Sequence, residues 1–171
     1  MHGKSILMFK QLALIFFLFV SQSLLAKPSY EVKFGSDWSV KTDSFGADYF
    51  AFSPLTIKKE SASLFVKEYP ASISDPLEFI VSDINKNMQK NKSKYKNLNI
   101  YKKEKMKLGS NEYAVVEYYY FDNSKNKIMF SLISILKRAD SYIYFNYAGD
   151  EPTYNEFKDS ALNAMKSLKL Q

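Results

Sequence analysis

The side chains that carry most hydrolytic and metal chemistry are nearly absent from this sequence. Its only histidine is His2, and it has no cysteine. Once an N-terminal leader is removed, neither imidazole nor thiol remains. That takes away His- and Cys-ligated zinc, Ser-His-Asp and Cys-His nucleophile pairs, and histidine acid/base catalysis. The glycines beyond the leader, Gly35, Gly46, Gly109 and Gly149, are too far apart to form a phosphate-cradling loop or a dinucleotide fingerprint. No cofactor is expected. What remains is carboxylate, lysine, tyrosine or serine chemistry. Glu117, beside Tyr118-Tyr119-Tyr120, is the first acid to test, with Glu112 as its nearest candidate partner. Two acids facing one cleft at glycosidase separations would make a carboxylate-dependent envelope hydrolase. The plainer reading of Glu117 on a strand is a charge facing solvent.

Binding residues are easier to nominate than catalytic ones. Strand alternation puts Ala114, Val116, Tyr118 and Tyr120 on one face, with Tyr113, Val115, Glu117 and Tyr119 on the other. Tyr142, Tyr144 and Tyr147 fall on a strand expected nearby. An aromatic ledge built from Tyr118, Tyr120 and Tyr144 could hold a glycan, peptide or lipid. The plainer reading is tyrosines packed beneath helices with their hydroxyls at the rim. A further alternative is a small carrier whose cavity lies between sheet and helix and binds a hydrophobic molecule.

Lys86 to Lys107 holds nine lysines against one acid, Glu104. Within it, Lys102, Lys103, Lys105 and Lys107 are the candidates for contact with an anionic envelope surface, such as lipid headgroups or lipopolysaccharide phosphates, or with an acidic protein. The alternative is a solvated, lysine-rich face. Nucleic acid is not expected as a partner. The chain has twenty-three lysines and one arginine, Arg138, whereas bidentate base and phosphate recognition favours arginine.

The N-terminus reads as a secretory leader over residues 1–26. Lys4 and Lys10 precede the apolar run Leu12 to Val20, and Ser21-Gln22-Ser23 follows. A run of nine residues cannot cross roughly 30 Å of hydrocarbon as a helix. Cleavage is expected between Ala26 and Lys27. Cutting after Ser23 and retention as an anchor stay open. A periplasmic or secreted location follows, with residues 27–171 as a single domain. A domain of that size buries about two-thirds of its unfolded surface and needs no disulfide.

The elements that must position these residues are legible in the periodicity. Short strands are expected at Tyr30–Phe34, Trp38–Thr42, Ala47–Ser53 and Ala62–Glu68, punctuated by Pro54 and Pro70. Asp75-Pro76-Leu77-Glu78 opens a helix with a capping acid and proline at the first helical position. Its buried stripe is Leu77, Ile80, Val81, Ile84 and Met88. A four-strand antiparallel meander follows at Leu98–Lys107, Glu112–Phe121, Lys127–Arg138 and Tyr142–Ala148. Its third strand is apolar in both registers, which demands cover on both faces. Thr153-Tyr154-Asn155-Glu156 reads as a second capping box, opening a helix with the stripe Tyr154, Phe157, Ala161, Ala164, Met165, Leu168. The result is an α+β fold, an antiparallel β-sheet with helices packed on its faces.

This order of features resembles the PsbP-like superfamily, which includes photosystem oxygen-evolving subunits, Mog proteins and periplasmic DcrB-like proteins. The marks are Trp38 after Phe34, Ser63-Leu64-Phe65-Val66, and Asp75-Pro76-Leu77. Leu108-Gly109 before Tyr113-Ala114-Val115-Val116, then Tyr142 to Tyr147, then Phe157 to Leu168 complete them. The resemblance implies an α/β/α sandwich and a non-catalytic binding or assembly role. It carries over no catalytic motif.

Overall fold

The computed structural model describes residues 28–56 and 60–171. The expected leader and its cleavage point at Ala26 and Lys27 lie outside the described residues. In chain order the strands are β1 (Tyr30–Glu31), β2 (Ser39–Ser44), β3 (Ala47–Phe52) and β4 (Ser63–Tyr69). Helix α1 (Pro76–Lys90) precedes β5 (Tyr95–Leu108), β6 (Asn111–Asp122), β7 (Lys127–Lys137) and β8 (Tyr142–Asp150). Helix α2 (Glu151–Lys166) and β9 (Lys169–Leu170) end the chain.

Seven strands form one antiparallel sheet in the order β2-β3-β4-β8-β7-β6-β5. The expected meander is its β8-to-β5 half, and the N-terminal strands add to it through β4, which pairs with β8. Strand β7 therefore separates β6 from β8, so the tyrosines of those two strands are not on neighbouring strands. β1 is shorter than the expected Tyr30–Phe34 and pairs with β9, tying the N-terminal segment to the chain's end.

Both faces of β7 are covered, as its double apolar register requires. Leu132 and Leu136 join Leu64, Val66, Tyr113, Val115, Phe145 and Tyr147 beneath α2, whose Tyr154, Ala161, Ala164 and Met165 are buried. Ile133 and Ile135 join Ala114 and Val116 beneath α1, where Ile80 and Ile84 are buried. Each isoleucine so buried contributes about 1.5–3 kcal/mol.

Asp75 caps α1 as the sequence indicates, accepting from the Leu77 and Glu78 amides at 2.9 and 3.3 Å. Helix α2 begins a turn earlier than its capping-box pattern suggests. Its cap is Asp150, at the end of β8, which accepts from the Thr153 amide, while Pro152 occupies the first turn. The proline suits that turn and the acid satisfies a free amide, so strand passes directly into helix.

The path of α1 positions the functional site. It carries the chain from β4, mid-sheet, to β5 at the far edge, and it packs on β5, β6 and β7. The α1 face of β3, β4 and part of β8 lies beyond its footprint.

Candidate binding cleft

On the uncovered part of the α1 face, strand register sets out the floor of a cleft. Phe50, Phe65 and Asn146 form one cross-strand row, which runs on into Ile133 beneath α1, with Ser63, Ala148 and Ser131 beside it. In the row on the other side Tyr144 lines the cleft, while its register partners Ile135 and Lys67 lie beneath α1 and toward the Gly46 carbonyl, respectively; Tyr69 and Tyr142 follow. Helix α1 supplies the far wall through Phe79, Asp83 and Asn87. The cleft encloses about 540 Å³, within the range of small-molecule sites. A smaller extension of about 260 Å³ runs under α1 past Tyr118, Tyr120 and Met88, sharing Asn87, Tyr144 and Asn146 with the main cleft.

The aromatic walls stand at steep angles to one another. Tyr144 meets Tyr69 at 88° and Phe65 at 80°, with centroids 6.2 and 6.3 Å apart. Tyr142 stacks on Tyr69 at 5.2 Å and receives the edge of Phe79 at 5.4 Å. These contacts add about 0.5–1.5 kcal/mol each beyond simple burial and hold the rings still.

The polar groups are few and placed among those rings. Ser131 Oγ donates to Asn146 Oδ1 at 2.8 Å, which fixes the amide plane. Asn87 Nδ2 donates to Asp83 Oδ2 at 3.3 Å. Burial pushes the Asp83 carboxyl up, while Lys86 pulls it the other way. Burial also raises the hydroxyls of Tyr69, Tyr118, Tyr142 and Tyr144, and the charge of Asp83 raises each further. At neutral pH these phenols stay protonated and are available as donors.

Three of the sequence-nominated residues, Tyr118, Tyr120 and Tyr144, come together here. Tyr147 does not: it lies on the α2 face, where its hydroxyl donates to the Tyr154 carbonyl at 2.8 Å. The lysines are elsewhere. Lys103, Lys105 and Lys107 pair with Val116, Ala114 and Glu112 along the edge strand β5, outside the cleft lining. Lys102 points to the other face and bridges Glu104 at 2.8 Å. Sequence reasoning missed Phe50, Ser63, Phe65, Tyr69, Phe79, Asp83, Asn87 and Asn146 as cleft residues. One signal was present: Asn146 is a poor strand former placed mid-strand among aromatics.

Glu117 corrects the expectation of a solvent-facing charge. Its side chain is 1% exposed on the α2 face. Oε2 accepts from the hydroxyls of Tyr154 and Tyr101 at 2.9 and 3.1 Å and from Lys158 Nζ. Oε1 sits 3.5 Å from Lys102 Nζ, within ion-pair range but without a hydrogen bond. Burial alone would raise this carboxyl, yet the Lys158 and tyrosine hydrogen bonds and the Lys158 charge hold it below its ordinary value. Glu112 belongs to the opposite face by strand alternation and pairs at the exposed edge with Lys105 at 3.9 Å. The two acids do not face one cleft, so the glycosidase arrangement does not form. Among the described residues no cluster of three or more His, Cys, Asp or Glu side chains could hold a metal ion. No helix among them is long and apolar enough to cross a membrane.

No protein-family model matches the chain, and no curated protein matches it in sequence. Solved structures do. The cyanobacterial PsbP (CyanoP) of Synechocystis sp. PCC 6803 aligns with a TM-score of 0.60 at 14% identity, covering 84% of this chain and 87% of its own. The fold is PsbP-like. LpqN, involved in cell envelope biogenesis of Mycobacterium tuberculosis, superposes on the same PsbP-like frame with a TM-score of 0.62 at 13% identity, covering 83% of each chain. A Pseudomonas aeruginosa protein described as a putative regulator aligns at 0.55 and 11% identity, over 80% of this chain and 86% of its own. At these identities the likeness establishes the PsbP-like architecture alone, and the cleft rests on this chain's own residues.

Proposed function

We propose that this chain is an exported, non-catalytic binding protein of the cell envelope, and that its ligand occupies the cleft between α1 and the sheet. The observation that carries this reading is the cleft itself: rigid aromatic walls, protonated phenols and a few oriented polar groups, left open because α1 stops short of β3 and β4. Envelope placement is supported by the leader-like N-terminal sequence and by the described role of LpqN in envelope biogenesis. A non-catalytic role is supported by the chemistry of Glu117, whose carboxylate is locked by its partners on the face away from the cleft.

A second contact is proposed along the edge strand. Lys103, Lys105 and Lys107 project from one face of β5, a spacing suited to an anionic headgroup surface or an acidic protein. Reversing these three lysines should weaken binding to anionic vesicles and leave cleft binding unchanged.

The cleft reading is tested by fractionating cells that express the full chain, then titrating the purified protein with envelope extract under two-dimensional NMR. Resonances of Ser63, Tyr144 and Asn146 should move, while those around Glu117 stay in place. Retention of the protein in the cytoplasm would contradict the export half. An extract that leaves the cleft resonances unmoved would contradict the binding half.

A further inference from the structure

The polar groups of the cleft say what class of ligand it takes. Resting on the cleft reading above, we infer that the ligand is a short neutral glycan, of the size of a mono- to disaccharide.

Three features of the lining select for it. The first is the alternation of ring faces with oriented hydrogen-bonding groups. Phe65 and Tyr144 meet at a steep angle, Tyr69 is stacked on Tyr142 behind them, and Asp83, Asn87, Asn146 and Ser63 line the same cleft. A pyranose presents this same pattern, with apolar C–H faces ringed by hydroxyls that both donate and accept. The planar amides and the carboxylate can each engage two vicinal hydroxyls. Asn146 is already committed in one direction, because its Oδ1 accepts from Ser131 Oγ at 2.8 Å. Its Nδ2 therefore remains as a donor with a fixed aim.

The second feature argues against a lipid tail. An aliphatic chain seated on this floor would strip water from the Asn146 amide, Ser63 and Asn87 and return no hydrogen bond. Each buried donor left unmet costs about 1–3 kcal/mol, enough for two or three such groups to cancel what the hydrocarbon gains. A carrier of apolar molecules would line this strand with leucine or valine.

The third feature argues against an organic cation, the other ligand that an aromatic cage with a carboxylate attracts. Lys67 pairs with Tyr144 in register, but its side chain lies outside the cleft lining: its ammonium donates to the Gly46 carbonyl at the rim, 5.9 Å from the Tyr69 ring centroid. A second cation on that ring would meet this charge. Among the described residues Asp83 is the one charged side chain of the lining, its charge is disfavoured by burial and offset by Lys86, and such a weakly charged cleft suits a ligand that binds through hydroxyls and ring faces.

The test uses the full chain, purified from the expressing cell, against a panel of neutral mono- to tetrasaccharides that includes cellobiose, maltose and diacetylchitobiose, with laurate and choline as competing classes. Isothermal titration should detect a saccharide. Asn146→Val should weaken it by about tenfold, the loss expected of one oriented hydrogen bond. Valine favours the strand, so thermal unfolding should stay near that of the wild type. Asn87→Ala, on an exposed helical position, should weaken the same saccharide with no cost to the fold. Laurate or choline binding in place of any saccharide would overturn the glycan inference and leave the cleft as a binding site. A saccharide whose affinity ignores both Asn146→Val and Asn87→Ala would overturn it as well. So would a panel in which no saccharide binds. The cleft reading itself is decided separately by the extract titration.

Discussion

Lys158→Met should cost about 2 kcal/mol of folding stability, and the size of that loss follows from where its partner lies. Glu117 is 1% exposed, whereas the Lys158 side chain is 30% exposed. Breaking a fully buried pair costs about 3–5 kcal/mol, and breaking an exposed one about 0–1. Lys158 reaches its partner from the rim, and Lys102 remains 3.5 Å from Oε1 to soften the loss, so a value near the middle is expected. Glu117→Met should cost a similar amount, about 2 kcal/mol, because the buried Tyr154 hydroxyl loses its acceptor. The double variant should not cost the sum. With both charges gone and methionines filling the space, its loss should stay near that of either single change, a coupling of about 2 kcal/mol. Urea unfolding followed by the fluorescence of Trp38 reads all four proteins. Trp38 is buried against Phe157 and donates to Ser160 Oγ at 2.9 Å, so its emission reports the loss of the α2 face directly. Additive losses, or a Lys158→Met cost below about 0.5 kcal/mol, would refute the claim that Glu117 is a buried, ionised anchor of α2.

Three further outcomes are expected. Burial raises the carboxyls of Glu68, Glu117 and Asp150, but hydrogen bonds and nearby cations outweigh it and hold all three below their ordinary values. Their contribution is therefore complete above the unfolded carboxylate range, about pH 4–4.5, and is lost as pH falls through the folded values. Acid titration of stability should show that decline, shallower in Glu117→Gln. Asp83 has the opposite sign, since burial raises its carboxyl and its charge costs stability at neutral pH. Asp83→Asn should raise the unfolding midpoint at pH 7, with the gain vanishing below about pH 4, as expected of a residue kept for binding. At the β2–β3 turn, Phe45 holds a φ of 55° and is 74% exposed, beside Gly46 at 75°. Phe45→Asn, suited to that turn, should stabilise the protein by about 0.5–1 kcal/mol in the same urea assay.

Much of the framework was legible because it rests on local patterns. Asp75 and Pro76 announced α1, and the i, i+3, i+4 spacing from Ile80 to Ile84 gave its buried side. The double apolar register of β7 required two covered faces, and it has them. Topology was less accessible. Nothing local says that β4 pairs with β8, or that α1 ends its crossing over β5, β6 and β7. The cleft is a consequence of that long-range choice, which is why Phe65 and Tyr144, 79 positions apart in the chain, could not be joined from sequence. Tyr118, Tyr120 and Tyr144 were nominated by residue type, and they share the α1 face of the sheet, as alternation placed the first two. Glu117 was misjudged because its burial depends on Tyr154 and Lys158, which α2 brings from 37 and 41 residues away. Asn146 was the clue left unread, a polar residue where strand chemistry favours an apolar one.

If a ligand sits in the cleft between α1 and the sheet, Ala148→Trp should expel it. Ala148 lies on the cleft floor between Ser63 and Ser131, on a strand that accepts tryptophan, so the new ring fills the space without entering the core. Wild-type and variant full-length proteins, each incubated with envelope extract, would be compared by native mass spectrometry. A bound mass is expected on the wild type and should be lost from Ala148→Trp while the unfolding midpoint holds. The same bound mass on both proteins would place the ligand elsewhere and contradict the cleft reading.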